Sequence, residues 1–180
     1  MSVRKGSRTK ARIRAIDVLF ETDERHAGVR PSDIRNTLDQ RREVSAAQTP
    51  LPAYAIEIVE GVAAHLDEID DMIESYSSRN WRRMPSVDRS ILRMAIWEIL
   101  FNDDVDDVIS ITEAVGISDS LSAPDSPAFI NAVLDRVKNT HREKRESDGE
   151  YLDLAASEAD DTETLSGSID AAYVDEYLDD

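Results

Sequence analysis

The stretch from Pro85 to Leu100 constrains the fold more than any other part of the sequence. A helix placed here has a broad apolar face, formed by Ile91, Leu92, Ala95, Ile96, Ile99 and Leu100. A helix that is apolar over so wide a face needs other helices packed on several of its sides. Ser86 is predicted to cap it, with Asp88 in the first turn, where a carboxylate suits the helix dipole. We therefore predict a central, mostly buried helix in an all-α protein.

Similar periodicity predicts helices before and after this central one. They cover approximately residues 7–23, 32–42, 53–77, 110–121 and 126–145. Capping residues are expected at Ser32–Asp33, at Ser110 of a capping box and at Ser126 before Pro127. Gly61 lies inside the third pattern, where it costs about 1 kcal/mol relative to alanine. We expect another helix to pack closely at that glycine.

The residue types present argue against a metal centre and against catalysis. The chain contains no cysteine, which excludes disulfides, thiolate metal sites and thiol nucleophiles. Its three histidines, His26, His65 and His141, are far apart, which makes a histidine metal cage improbable. The sequence lacks a glycine-rich phosphate loop, an H-E-x-x-H motif and a G-x-S-x-G motif. We predict no catalytic residue, no metal and no cofactor.

Charge is distributed very unevenly along the chain. The formal net charge is −17, which by itself disfavours binding to nucleic acid. Residues 1–14, however, carry six Lys and Arg and no acid, whereas residues 146–180 carry 13 acids and no Lys or Arg. Such asymmetry is typical of interaction proteins.

Composition divides the chain into three predicted parts. Residues 1–6 are a flexible basic arm, 7–145 a single helical domain, and 146–180 an acidic, mainly disordered tail. Within the tail, Ile169–Leu178 could form a short amphipathic helix. No apolar run reaches the ~18 residues of a membrane span, and the start lacks the apolar core of a signal peptide. We expect a soluble, cytoplasmic protein with no membrane contact.

Two features suggest binding to nucleic acid, and each has a plainer explanation. In a helix that begins early, Arg4, Arg8 and Arg12 share one face, with Lys10 and Arg14 beside it. These side chains are either phosphate ligands or a solvated, frayed helix end. Phe129 follows a predicted helix start. It either stacks on a base or is an ordinary core phenylalanine.

Several segments of the sequence resemble the NusB family of transcription antitermination factors, and their order along the chain matches that family. Val87–Ile99 is similar to that family's (V/L)-D-R-x-I-L-R-x-A-x-(Y/W)-E-(L/I) helix. Val108–Val115 resembles V-x-I-N-E-A-V, and Ser126–Asp135 resembles S-x-x-F-(V/I)-N-(G/A)-V-L-D. Residues 8–20 resemble R-x-x-A-R followed by A-x-x-x-L-(Y/F). Together the resemblance covers about residues 7–142.

The resemblance implies a fold, a function and a set of site residues. The fold would be a single domain of two packed helical bundles. The function would be binding of boxA-type single-stranded RNA from ribosomal RNA operons, together with the ribosomal protein NusE, within the RNA polymerase antitermination complex. The residues implied in RNA binding are Arg4, Lys5, Arg8, Lys10, Arg12, Asp125 and Phe129. Those implied in contact with the ribosomal protein are Phe20 and Asp88.

Departures from the family pattern leave alternatives open. Thr9 and Ala128 stand where basic residues are common, so RNA affinity is expected to depend more on the protein partner. A rival hypothesis is a protein–protein module with vestigial RNA affinity. A further hypothesis is that the acidic tail competes with RNA for the basic arm. A monomer and a homodimer are both compatible with the sequence.

Overall fold

A computed structural model describes residues 6–46 and 49–165, and every regular element in these two ranges is helical. This confirms the all-α prediction. The α-helices are α1 (Ser7–Arg25), α2 (Pro31–Ala46), α3 (Ala53–Ala64), α4 (Leu66–Tyr76), α5 (Ser86–Phe101), α6 (Asp107–Leu121) and α7 (Ser126–Leu165). A short 3-10 turn, Trp81–Arg83, precedes α5.

The chain divides into two compact units, Met1–His141 and Arg142–Asp180. In the first unit, α1, α2 and α3 pack on one another, and α5 packs against α1, α3, α4 and α6. The start of α7 contributes Ile130, Val133, Leu134 and Val137 to the same core. In the second unit, the remainder of α7 is described as far as Leu165.

Helix α5 is central for its polar residues as well as its apolar ones. Eleven of its sixteen residues are buried, including the charged residues Asp88, Arg93 and Glu98. A buried charge is tolerated only when it is paired and hydrogen-bonded. Arg93, for example, donates two hydrogen bonds to Asp70 of α4, at 2.7 and 2.8 Å, and one to Asp23 of α1, at 3.1 Å. Each buried charge of α5 therefore joins it to neighbouring helices.

The close approach predicted at Gly61 is confirmed. A methyl group at this position would overlap Nε1, Cε2 and Cζ2 of the Trp97 indole, which belongs to α5. Glycine is required here because the ring of a core tryptophan lies directly against the backbone of α3.

The long helix predicted from residue 53 to 77 is two helices, so that prediction is wrong. His65 leaves the helical conformation, with φ −120° and ψ 23°, and separates α3 from α4. Its ring stacks on Phe101 with the ring centroids 3.8 Å apart. Backbone hydrogen bonds from His65 to Gly61 and from Ile69 to His65 still span the junction. Apolar periodicity continues through such a bend, which explains why the sequence pattern does not show it.

Three predicted N-caps are also displaced. Helix α2 begins at Pro31, and Asp33 accepts hydrogen bonds from the backbone and side chain of Arg30. The hydrogen bond from Arg30 holds the pKa of Asp33 below its usual value. In α5, Ser86 is the first helical residue and its hydroxyl bonds to Glu24. In α6, Asp106 is the cap, 2.8 Å from the Val108 amide, and Ser110 is buried.

Helix α7 is longer than predicted. The sequence predicts that α7 ends near Arg145, whereas the helix runs to Leu165. No proline follows Pro127, and residues 152–156 are mostly leucine and alanine, which are strong helix formers. Helix propensity thus extends a helix whose apolar face has ended. The predicted amphipathic segment Ile169–Leu178 lies outside the described residues.

Candidate nucleic-acid interface

The predicted basic residues of α1 occupy different environments. Arg8 and Lys10 are exposed near the start of the helix. Arg12 is only 2% exposed, so it lies in the protein interior. Arg4 and Lys5 lie outside the described residues. Of the basic residues predicted to bind RNA, Arg8 and Lys10 are therefore the exposed ones in the described part of the chain.

Arg12 is held by carboxylates and not by solvent. Its Nε lies 2.8 Å from Oε1 of Glu98, and its Nη1 lies 3.3 Å from Oε2 of Glu113. Glu98 is fully buried and also accepts a hydrogen bond from Ser110 at 2.8 Å. An arginine engaged in this way cannot also bind a phosphate directly. Its position differs from that of the phosphate ligand expected from the sequence.

Tyr54 contacts both the buried Arg12–Glu98 pair and the exposed Arg8. Its hydroxyl donates to Glu98, and Asn102 donates to the Tyr54 oxygen at 3.3 Å. Burial, reinforced by the charge and hydrogen bond of Glu98, raises the pKa of the Tyr54 phenol. The guanidinium carbons of Arg8 and Arg12 lie 4.9 and 5.8 Å from the ring centroid. Tyr54 is therefore a platform that orients Arg8 by a cation–π contact.

A cleft of about 380 Å³ opens beside Arg8, and we name it the N-terminal cleft. It lies between the start of α1 and the start of α6. Arg8 lines its α1 side, and three acids, Asp104, Asp106 and Glu113, also line it. Helix α1 itself has no acid in its first turn and no side-chain cap at Gly6, so the amide groups at this helix end add positive potential beside Arg8.

The other predicted RNA contacts lie together at the start of α7, in a group that we name the Phe129 cluster. Its members are Arg79, Asp88, Asp125, Ser126 and Phe129. Ser126 donates to Asp88 at 2.8 Å, and Arg79 bridges Asp88 at 3.4 Å and Asp125 at 2.7 Å. The Arg79 guanidinium carbon lies 4.1 Å from the centroid of the Phe129 ring. Asp125 and Phe129 are thus brought together, with an arginine between them.

The two groups contact opposite ends of α5. Glu98 anchors the Arg12 side and Asp88 anchors the Phe129 cluster, ten residues apart in α5. Ten helical residues correspond to about 15 Å.

The two residues predicted to bind a protein partner, Phe20 and Asp88, also lie in different environments. Phe20 is 40% exposed on α1 and is available for contact with another protein. Asp88 is fully buried and bonded to Ser126, so the structure gives it an internal role instead of a surface one. Val108 and Ile109 at the start of α6 are also exposed apolar residues. Ile109 lines the cleft at the start of α1, whereas Phe20 lies in the second half of that helix.

Tyr54, Glu98 and Arg79 take part in these groups, and the sequence analysis assigns none of them to a site. Glu98 falls inside a recognised motif, which is a weak signal for it. Tyr54 and Arg79 occupy a helix start and a loop without any pattern that would reveal their partners. Their importance depends on contacts across 44 and 50 positions, with Glu98 and Phe129 respectively.

The described residues contain neither a metal-holding group of side chains nor a helix that could span a membrane. No group of three or more His, Cys, Asp or Glu side chains in that part of the chain is arranged to hold a metal ion. Among the helices described, none has the length and apolar character needed to cross a bilayer.

The fold defines a class of small all-helical proteins organised around one buried central helix. The family model for the NusB family matches residues 9–139. The chain belongs to the NusB family. It is 44% identical over 177 residues to the transcription antitermination protein NusB of Bifidobacterium longum subsp. infantis, covering 92% of this chain and 91% of that one.

Other relatives agree with this assignment. The transcription antitermination protein NusB of Clavibacter michiganensis subsp. michiganensis is 48% identical over 139 residues, covering 74% of this chain and 97% of that one. A solved structure of T. maritima NusB matches with a TM-score of 0.59 and 28% identity. That match covers 79% of this chain and 99% of the other. The predicted family is thereby confirmed.

Proposed function

We propose that this chain is a non-enzymatic RNA-binding adaptor in transcription antitermination. It binds boxA-type single-stranded RNA of ribosomal RNA operons together with the ribosomal protein NusE, and joins the antitermination complex on RNA polymerase in the cytoplasm. The observation that carries the proposal is the exposed start of α1, which has no acid in its first turn and holds Arg8 over the Tyr54 ring. Membership of the NusB family supports the same role.

In this proposal the site residues have distinct tasks. Arg8 and Lys10, with Arg4 and Lys5 ahead of them in sequence, attract phosphates. Arg12 acts indirectly, because its ion pairs with Glu98 and Glu113 fix the helix that carries Arg8. Phosphate contacts of this kind position the strand, and the sequence is read where bases are unstacked.

At the start of α7, the surface around Asp125 and Phe129 is the second contact region for RNA. Phe20 contributes exposed apolar area for the ribosomal protein. Asp88 acts from the interior by holding Ser126. Two separated contact regions, one basic and one aromatic, suit a single-stranded ligand.

The direct test is an electrophoretic mobility-shift assay with a boxA-type RNA, performed with and without the ribosomal protein. A shift that strengthens when the partner is added supports the proposal. The absence of any shift in both conditions would refute it.

Replacing both Arg8 and Lys10 by alanine is expected to weaken RNA binding about tenfold or more at low salt. Because two phosphate contacts are lost, the slope of log Kd against log salt should decrease by about 1 to 1.5. Fluorescence anisotropy of a labelled RNA at four salt concentrations measures both quantities.

Arg35→Ala is the matched control, since Arg35 is an exposed arginine on α2. It should leave the affinity and the salt slope nearly unchanged. Arg12→Ala is a poor test of phosphate binding because Arg12 is buried in ion pairs, and its loss would damage the fold. An unchanged salt slope in the Arg8, Lys10 double variant would contradict the assignment of these residues.

A second candidate function is a protein–protein module with vestigial RNA affinity. Burial of Arg12, together with exposed Phe20, Val108 and Ile109, favours it. An antitermination assay with the Arg8, Lys10 double variant distinguishes the two candidates. Activity that survives the double substitution would favour the protein module, whereas lost activity would favour the RNA adaptor.

The acidic tail is proposed to modulate RNA binding by competing for the basic arm. Tethering gives residues 146–180, with their 13 acids, a high effective concentration near any site on the same chain. Deleting these residues is expected to tighten RNA binding by a factor of about 3 to 10 at low salt, with less effect at high salt because of screening. Anisotropy titrations at two ionic strengths test this.

A full-length chain whose tail acids are replaced by their amides is the companion variant. It should bind RNA as tightly as the deletion if charge is responsible. Equal affinity in the intact, neutralised and deleted chains would instead indicate a tail that serves only solubility.

A further inference from the structure

The Phe129 ring presents little surface of its own. Phe129 is 8% exposed, and the guanidinium of Arg79 lies over its face with the guanidinium carbon 4.1 Å from the ring centroid. A base approaching this position would meet the arginine before the ring. The Arg79 side chain is 29% exposed.

Three supports fix the orientation of the Arg79 guanidinium. One face rests on Phe129, Nη2 lies 2.7 Å from Asp125, and Nη1 lies 3.4 Å from Asp88. Asp88 is itself fixed by Ser126 at 2.8 Å, and its Oδ1 has no hydrogen-bond partner. A guanidinium held by a ring and two carboxylates has lost most of its rotational freedom before any ligand binds.

One face of the guanidinium lies over the ring, two of its edges are directed at carboxylates, and the side chain as a whole is 29% exposed. Planar guanidinium groups are good stacking surfaces for unpaired RNA bases. Because the plane is already fixed, stacking on it costs little additional ordering.

We propose that an unpaired RNA base stacks on the outer face of Arg79, so that Arg79 is a direct RNA contact and Phe129 is the support beneath it. The proposal rests on the RNA-binding function proposed above and adds a specific contact to it. Asp88 and Asp125 are then positioning residues, which hold the plane without touching the base.

The alternative is that Arg79 is only a brace between α5 and the loop before α7. A brace and a stacking surface respond differently to removal of one base. If a base stacks on Arg79, removing that base and removing the guanidinium plane abolish the same contact. If Arg79 is only a brace, the two losses are independent and their effects add.

The test measures binding of labelled boxA-type RNAs to the full-length protein, each RNA carrying one abasic nucleotide at a different position. One abasic position is expected to cost the unmodified protein about tenfold in affinity, a value typical of one stacked base. In Arg79→Lys, binding of intact RNA should also weaken about tenfold, and the penalty at that position should fall to less than twofold. The salt slope should stay unchanged because the charge is retained.

Arg83→Lys is the matched control, since Arg83 is an exposed arginine four residues further along. It should bind every RNA as the unmodified protein does. Thermal unfolding followed by circular dichroism identifies a temperature at which all variants are folded, and binding is measured there. Phe129→Leu should weaken binding less than Arg79→Lys, because it removes the support and leaves the plane.

Other results would overturn the proposal. An Arg79→Lys variant that keeps the full abasic penalty would show that Arg79 does not contact the base. Tighter binding in Arg79→Ala, combined with a large loss in Phe129→Leu, would show that the base stacks on Phe129 after the arginine moves away. If the unmodified protein binds no RNA, with or without the ribosomal protein, the proposed function itself fails and this inference fails with it.

Discussion

Replacing Gly61 by alanine is expected to destabilise the protein by about 2 to 4 kcal/mol. Alanine is the better helix former by about 1 kcal/mol, so on an open helix the substitution would stabilise. Here the added methyl would overlap three atoms of the Trp97 ring, and Trp97 is only 6% exposed. Overpacking a core usually costs 1 to 3 kcal/mol and occasionally more, and an overlap with three ring atoms of a core tryptophan belongs at or above the upper end of that range. The steric cost therefore exceeds the gain in propensity.

Urea unfolding, followed by circular dichroism and by tryptophan fluorescence, measures this effect. Gly116→Ala is the matched control, because Gly116 is also inside a helix and nothing lies within 4 Å of a methyl group placed there. It should stabilise the protein by about 0.5 to 1 kcal/mol. Equal effects of the two substitutions would contradict the close packing at Gly61.

A compensating substitution tests the cause. Trp97→Phe makes room beside Gly61 but leaves a cavity, so alone it should destabilise. Combined with Gly61→Ala, it should cost less than the sum of the single effects, because the two residues share one volume. Strict additivity would mean that the methyl group collides with something else.

Replacing Glu98 by alanine is expected to destabilise by about 3 to 5 kcal/mol, the range for removing one partner of a buried ion pair. Glu98 is fully buried and accepts hydrogen bonds from Arg12, Tyr54 and Ser110. Arg12, whose side chain is 3% exposed, would keep only its 3.3 Å contact with Glu113. The Tyr54 hydroxyl would lose this acceptor, and Ser110 would keep its 3.3 Å hydrogen bond to the Ala95 carbonyl.

Glu60→Ala is the control for this substitution. Glu60 also pairs with an arginine, at 2.6 Å from Arg42, but its side chain is 54% exposed. A solvent-exposed ion pair contributes 0 to about 1 kcal/mol. Chemical denaturation of both variants measures the difference. A loss below 1 kcal/mol for Glu98→Ala would indicate that Arg12 finds another partner or reaches solvent.

Much of the architecture is predictable because it depends on local patterns. The broad apolar face of α5 predicts a central helix, and the regular spacing of apolar residues predicts most of the other helices. The break at His65 is not predictable in the same way, since the apolar pattern continues across it. The N-caps are displaced because several side chains could cap, and tertiary partners such as Glu24 and Glu98 engage Ser86 and Ser110 instead.

The candidate site is less predictable than the fold. Arg8 and Lys10 are exposed as the basic pattern suggests, and Phe20 is exposed as the family resemblance implies. Arg12 and Asp88 lie in the interior. A charge pattern in sequence shows which residues are cationic or anionic, but not which of them meet an opposite charge.

The sequence by itself determined the helical class, the central helix and the family. These follow from residue spacing within single helices or from ordered motifs, which need no knowledge of the fold. The tertiary structure alone decided which charges are used internally, because the contacts of Arg12 with Glu98 and of Arg79 with Phe129 join residues 86 and 50 positions apart. Buried charges persist only where such distant partners meet, and only three-dimensional packing brings them together.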